Sequence, residues 1–585
     1  MVKIDVTMKK FLLAMCVAFV AIACTVDDTT PIQPDSLGND VPTIIHASVD
    51  AQMRSELQWE DDAPKSYWSV GDKIAVFNAL PNYNAYELDS DEPCHDGDFK
   101  LIEGSEIKGA EDGFEFAETV AFYPYADNLT LQSGENESAV LKFVVPATQL
   151  FVESDSYCET SNPMVAVEMD GDYSFKNIFG FLKVTLTGGE TIKKITLKGN
   201  NGEILAGNCE ANVADYSVAV GYNGSTELTI DCGEGVELNE QGISFIFALP
   251  PTIFEQGFTI EATDTEYRCF TISTTNEVAI TRNAIQPMNA IASSEAAVSC
   301  IIDAEAMTAE QLNAAVAKAL DYGITDISVN LAEDADEAMF SAITAALAAT
   351  VDPTLDPWEM EGTIDLTISG AKKVFDSAFG MLEGYNENWR AGAVLKTLTL
   401  PDVIEIEDYG INFCPNLTSV SAPKCEVLGE GALAENNALT SVYMPAARII
   451  GNSTGENYGP FCMCDNLTEI SLPEATILGN SAFAACWNLK TLYLPKVTEI
   501  IGCDAFKACD NLEEITLGAL TTVNNANAGT FRSVTTGNVA LVLSADQKAM
   551  NYDSSTKYWT AGTEAFDFNT TSFVGYTFKS ITPQE

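Results

Sequence analysis

Between Leu395 and Leu517 one short pattern is written six times: a leucine, two polar residues, an aliphatic residue, a spacer, an apolar residue and usually a proline. The copies start at Leu395, Leu417, Leu439, Leu467, Leu489 and Leu512, in steps of 22, 22, 28, 22 and 23 residues. A unit of that size cannot bury its own apolar face, so it is stable only when stacked on its neighbours, and a period of 20 to 50 residues therefore predicts a solenoid. Stacks of this kind present long, regular surfaces, which points to recognition of a partner before any chemistry.

Other residue types recur in register with the leucines. Asn416, Asn466, Asn488 and Asn511 precede them, and Cys414, Cys464, Cys486 and Cys509 lie two residues earlier. Before these come Ala432-Leu433, Pro460-Phe461, Ala482-Phe483 and Ala505-Phe506. This composite resembles the leucine-rich repeats of BspA-like bacterial surface adhesins, over about residues 360 to 520. The resemblance implies a right-handed solenoid on a secreted or surface-anchored protein, with adhesion as the expected role.

The amino terminus bears on location. Met8-Lys9-Lys10 followed by the apolar run Phe11 to Ala23 has the form of a secretory signal, and its 13 residues are too few to span a bilayer. The run ends in Ala21-Ile22-Ala23-Cys24, which resembles a bacterial lipobox and implies acylation of Cys24. Two or more acyl chains anchor stably, at about 0.8 kcal/mol per buried methylene. Thr25-Val26-Asp27-Asp28 resembles the export signal of surface-displayed lipoproteins, so an outer-membrane location facing outward is expected. Translation starting at Met8 and at Met1 are both compatible with this pattern.

The chain has 585 residues, enough for three or four domains. With 30 basic and 85 acidic residues it has a net charge of −55, which argues against nucleic acid or anionic lipid as a ligand. From His46 to Ala292 the pattern is one of short alternating segments broken by Gly, Asn and Asp, as in Lys73 to Phe77, Lys183 to Thr187 and Ser244 to Leu249. That pattern predicts antiparallel β-sandwiches. Trp68 to Ile74, Phe122-Tyr123-Pro124-Tyr125, Asn162-Pro163-Met164, Phe175 to Val184 and Ile285 to Met288 resemble the fimbrillin-like surface lipoproteins. The resemblance implies two transthyretin-like sandwiches in tandem.

The expected fold is thus mainly β and multidomain. The expected divisions are a lipoprotein signal (1–24), an acidic tether (25–44), two sandwiches (45–145 and 146–295, parting near Pro146), an α/β cap (300–362), the repeats (363–520) and a C-terminal cap (521–585). In the cap, Thr308-Ala309-Glu310-Gln311 is a capping box that opens a helix stopped by Gly323. A second helix over about Glu337 to Ala349 presents Met339, Ile343, Ala346 and Leu347 on one face.

The fifteen cysteines include Cys16 and Cys24 of the signal, and the odd remainder of 13 fits poorly with disulfides. The four periodic ones fit core positions better. Asp89, Asp91, Glu92, Asp96 and Asp98 match no calcium-loop spacing, and two histidines, His46 and His95, leave no zinc site or histidine-dependent triad. No phosphate loop or dinucleotide fingerprint is present. No cofactor, metal or catalysis is expected.

In each repeat strand the leucines point inward, so the residue between the last two apolar positions points outward. That column is Thr399, Ser421, Tyr443, Ser471, Tyr493 and Thr516, and the second is Thr397, Ser419, Ser441, Glu469, Thr491 and Glu514. Tyr443 and Tyr493, with Ser471 between them, are the candidate contacts for a host protein or a glycan. Insertions at Asn452 to Gly459 and at Glu383 to Ala393, the latter bearing Tyr385, Trp389 and Arg390, form the second candidate. The chain is expected to act as a monomeric adhesin. A fimbrial subunit assembling by strand exchange and a glycan-binding helper of polysaccharide uptake remain the alternatives.

Overall fold

The computed structural model describes residues 41–584 other than 50–57, 61–62, 66–67, 80–81, 108–118, 135–137, 154–156, 159–160, 353, 357–358, 381–387, 452–457, 525–528 and 535–536. The signal, Cys24, most of the tether, Tyr385 and most of the 452–459 insertion lie outside the described residues. The remainder, from Thr43 onward, is one compact unit and mainly β. No helix among the described residues is long and apolar enough to cross a membrane.

The first strands close on themselves as a seven-stranded barrel, in the order Ile44–Val49, Asp172–Asn177, Met164–Met169, Val120–Tyr123, Lys73–Ala79, Asn82–Leu88 and Asp96–Leu101. An antiparallel β-sandwich was expected here. What closes it is the parallel pairing of Ile44–Val49 with Asp172–Asn177, strands more than 120 residues apart in sequence. Alternation along a strand specifies a buried face but not a partner, so closure of this kind is not legible locally.

Nor does the chain part at Pro146. Thr130–Ser133 and Ala139–Val145, which precede it, pair onward with Gly207–Asn212 and Val218–Val220, whereas Met164–Met169 and Asp172–Asn177, which follow it, return to the barrel. One apolar core consequently runs from Phe77, Tyr83 and Phe122 of the barrel to Val184, Leu197, Phe247 and Ile260 of the second unit.

The most consequential sheet has twelve strands. Its order is Thr148–Leu150, Glu227–Glu237, Thr191–Gly199, Phe258–Asp264, Arg268–Ser273, Ala297–Asp303, Asp326–Asn330, Ile364–Ser369, Leu395–Thr399, Ser419–Ser421, Ser441–Tyr443 and Glu469–Ser471. Apart from the parallel pair of Thr148–Leu150 with Glu227–Glu237 at its first edge, it is antiparallel through the second unit and turns parallel after Ala297–Asp303, so the same sheet enters the repeats without a break. The expected division near residue 295 is crossed by backbone hydrogen bonds rather than by a linker.

Two helices cover the junction. α1 (Ala309–Asp321) starts with the reciprocal capping box of Thr308 and Gln311 and ends before Gly323, which takes φ +73°. α2 (Glu337–Ala349) is capped by Asp336, which accepts from the amides of Ala338 and Met339. It buries Phe340, Ile343, Ala346 and Leu347, with Met339 only at the margin of the core. At the foot of α1 the carboxylate of Asp264, 2% exposed, accepts from Arg268 Nε at 2.7 Å and from the amides of Glu266 and Arg268 at 2.8 Å. The Arg268 guanidinium lies 4.8 Å from the Tyr322 ring, and Lys318 and Tyr322 both reach Glu266. A turn of the second unit therefore grips the end of the first cap helix.

Beyond the junction the coils stack through two parallel ladders. The front ladder pairs Thr397 with Ser419, Ser441 and Glu469 in turn, and the second pairs Glu405, Val427, Ile449, Ile477 and Glu499. On the back of the coils the rings of Phe461, Phe483, Phe506 and Phe531 follow one another at 5.4, 5.9 and 5.1 Å between centroids. Phe413, Glu435, Met463, Ala485 and Ala508 take left-handed backbone conformations, which cost roughly 1–2 kcal/mol for a residue with a Cβ. Each donates its amide to a carbonyl of the following coil, as Ala485 does to Lys507 at 2.7 Å, and stacking offsets the strain. The stack runs past residue 520, since Ala540–Leu543 and then Ser580–Pro583 extend the front ladder in parallel.

The periodic cysteines do more than fill space. Sγ of Cys464, Cys486 and Cys509 donates to the carbonyl of Leu433, Phe461 and Phe483 of the preceding coil at 3.2, 3.0 and 3.0 Å. At the same position of the repeat that begins at Leu439, Asn436 donates to the carbonyls of Ile411 and Leu433 instead. No disulfide joins any of the 13 described cysteines.

Two outcomes follow. Arg268→Ala leaves Asp264 buried without its cation and should lower stability in chemical denaturation by about 3 kcal/mol, whereas Lys318→Ala, removing an exposed pair, should change little. Burial pushes the thiols of Cys209, Cys425 and Cys509 from the ordinary 9.0 up to about 12. Folded thiols thus keep protons that unfolded ones release, so this stabilisation is complete below pH 9 and is lost as pH rises toward about 12. A denaturation midpoint that stays level across that window would contradict it.

Candidate binding surface

The outward column of the repeats is built by the pleat. Leu398, Val420 and Val442 point into the core, and the residues that follow them, Thr399, Ser421 and Tyr443, lie opposite one another on the other face. Tyr443 is 51% and Tyr493 63% exposed, and neither hydroxyl has a hydrogen-bond partner among the described residues. The two rings are two coils apart, with Ser471 on the coil between them. They have the amphipathic character that contact surfaces favour.

The column is less regular than its spacing predicts. Thr516 is 6% exposed, because the larger Tyr493 and Val542 flank it in register. The front ladder also divides between Ser471 and Tyr493: the twelve-stranded sheet ends at Glu469–Ser471, and a second sheet begins at Thr491–Leu494. Ile470 is correspondingly half-buried where Val442 and Leu492 are buried. The second ladder runs unbroken through the same coils, so the division is confined to the face that carries the tyrosines. Ser471 therefore pairs with Tyr443 and not with Tyr493.

Trp389 and Arg390 sit on α3 (Asn388–Val394), both half-buried, with the guanidinium 5.5 Å from the indole centroid. They belong to a helix that buries Ala391 and Ala393 rather than to an open loop. Sequence reading passed over Trp487, which is 49% exposed in the turn that leads into the strand of Tyr493. It holds the place between the periodic cysteine and asparagine, occupied elsewhere by Pro415, Asp465 and Asp510, and a tryptophan among such residues is the signal that could have found it.

His46 Nδ1 lies 3.0 Å from Asp98, and Asp89 bonds Lys100 at 2.7 Å, so two of the five acidic-loop carboxylates already hold a partner. Among the described residues no group of three or more His, Cys, Asp or Glu is placed to hold a metal ion.

Residues 391–458 and 456–542 match the BspA type leucine rich repeat region, in six copies. The match starts at residue 391 and lends no support to a fimbrillin-like reading of the N-terminal half. No curated protein matches the chain. Among solved structures, a leucine-rich repeat protein of T. pallidum is 20% identical over 25% of this chain and 73% of its own, with a TM-score of 0.20. One from Bacteroides ovatus is 16% identical over 38% of this chain and 55% of its own, with a TM-score of 0.20. A leucine rich cell surface protein from Faecalibacterium prausnitzii is 15% identical over 37% and 79%, with a TM-score of 0.16.

The two sides of one strand should respond oppositely to truncation. Tyr443→Ala with Tyr493→Ala removes exposed rings and should leave the melting temperature nearly unchanged. Leu492→Ala opens a cavity in the stack and should cost about 2–5 kcal/mol. A large loss of stability in the tyrosine variant would show those rings to be structural.

Proposed function

We propose, starting from the BspA-type repeats over residues 391–542, that this chain is a surface-exposed lipoprotein that holds a host protein or a glycan without acting on it chemically. The observation that carries the reading is the pair of unpartnered, half-open tyrosines on the outward face of a stack whose other large apolar side chains are mostly buried. Aromatic rings in such positions commonly contribute most of the binding energy at an interface. The lipid on Cys24 would fix the chain to the outer membrane, the acidic tether would give it reach, and the two N-terminal β units would lift the repeats away from the bilayer.

The twelve-stranded sheet suits a stalk. Because Ala297–Asp303 is paired on both sides, the last strand of the second unit is committed to the cap. A subunit that polymerises by strand exchange needs such a strand free, so the fimbrial alternative finds less support. A glycan-binding helper of polysaccharide uptake would use the same face and differs only in the origin of the glycan.

Two measurements test this. Cys24→Ser should move the protein from the membrane fraction to the soluble one, and protease added to whole cells should digest the wild type; membrane retention of the mutant or full protection would remove the surface-lipoprotein reading. Tyr443→Ala with Tyr493→Ala should weaken attachment to host matrix or glycan strongly, and unchanged attachment would overturn the strip.

A further inference from the structure

The outward face that carries Tyr443 continues well beyond the repeats. Tyr443 lies opposite Ser421, Ser421 opposite Thr399, Thr399 opposite Thr367, Thr367 opposite Ser328 and Ser328 opposite Ile301. Two residues before Ile301 on the same face, Ser299 lies opposite Cys269, Cys269 opposite Thr263 and Thr263 opposite Lys194. Partners in register share a face, so Lys194 belongs to the same side of the sheet as Tyr443, eight strands away, or about 40 Å along the sheet.

Here that face sinks into a groove of about 500 Å³, with Lys193, Lys194, Asp231, Thr263, Tyr267 and Asp303 among its lining. Consecutive residues of a regular strand point to opposite sides, which would turn one lysine away. A register shift between Ile192 and Lys194, present against both neighbouring strands, leaves both lysines exposed at the groove. Bulges characteristically re-aim side chains in this way. Neither lysine has a carboxylate within ion-pair distance among the described residues. By contrast, lysines such as Lys73, Lys100, Lys142, Lys198, Lys318 and Lys424 are all held by acids. The lining is mixed in charge: Asp264 is held by Arg268, Asp231 lies opposite Lys194 in register, and Asp303 stands at the same groove. Two ammonium groups without an ion pair thus face two carboxylates across a concave site, a placement suited to a ligand that carries both a negative charge and hydroxyl groups.

We infer that this groove is a second binding site, for a glycan segment bearing a carboxylate such as a uronic acid. The inference rests on the binding role proposed above, but not on the tyrosine strip. Lys193 and Lys194 would meet the sugar carboxylate, while Asp231, Asp303 and the threonine hydroxyls would accept from and donate to its ring hydroxyls. An acidic peptide fits less well. Peptides that join sheets do so along an unpaired edge, and the floor strands Glu227–Glu237, Thr191–Gly199 and Phe258–Asp264 are paired on both sides.

Titration calorimetry of the full chain against tetragalacturonate, its methyl ester and a tetraglutamate peptide decides the matter. Tetragalacturonate should bind, and the uncharged ester should bind at least about tenfold more weakly, as expected when charge-assisted hydrogen bonds are lost. Lys193→Gln with Lys194→Gln should weaken tetragalacturonate to a similar degree at unchanged melting temperature, and Lys193→Arg with Lys194→Arg should retain it. Tyr443→Ala with Tyr493→Ala should leave this binding intact, which separates failure of the groove from failure of the strip. Equal binding of acid and ester, tighter binding of the peptide, an unaffected glutamine variant, or no binding of tetragalacturonate at millimolar concentration would each overturn the assignment.

Discussion

Parallel backbone pairing between successive coils is the interaction on which the rest of this structure depends. It sets each coil in register on the next across steps of 22, 23 or 28 residues, and that register brings like onto like. The phenylalanine rings stack, the asparagines bridge coils, as Asn466 does to the Asn437 carbonyl and Asn511 to that of Trp487, and the thiols of Cys486 and Cys509 meet the carbonyls one coil back. The left-handed conformations of Ala485 and Ala508 make sense only in that setting. Their strain is local, whereas the hydrogen bond that offsets it comes from the next coil. Each coil is thus stable only as a neighbour, which is the energetic meaning of a repeat protein.

The same pairing abolishes the joint that a string of domains would have. Once Ala297–Asp303 takes Arg268–Ser273 on one side and Asp326–Asn330 on the other, movement of the repeats against the second β unit would require backbone hydrogen bonds to break. The cluster of Asp264, Arg268, Glu266, Lys318 and Tyr322 locks the helix side of that junction. A buried carboxylate such as Asp264 is costly unless fully satisfied, and its three donors supply that satisfaction.

Charge and face work together. Acid dominates the chain, yet the outward side of the repeats exposes mainly hydroxyls and two tyrosines, and the outward side of the second unit exposes two lysines without acidic partners. Acidic surface elsewhere discourages nonspecific association, and these two regions depart from it.

What the amino-acid sequence determined by itself is whatever depends on local periodicity. The repeat and its register, both cap helices, the capping box at Thr308 and the inward or outward direction of Val442, Tyr443, Leu492 and Tyr493 all follow from spacings of two, of three to four and of 22 residues. Tertiary structure alone decided the pairings between distant strands: barrel closure by Ile44–Val49 against Asp172–Asn177, the exchange of strands on either side of Pro146, and the single sheet that joins the second unit to the repeats. The interruption of the front ladder beside Ser471, the burial of Thr516 and the groove at Lys193 and Lys194 belong to the same class. The physical reason is common to them all. Alternation tells a strand which face to bury, but a free backbone edge will accept any partner that arrives in register, and which one arrives is settled by how the whole chain packs.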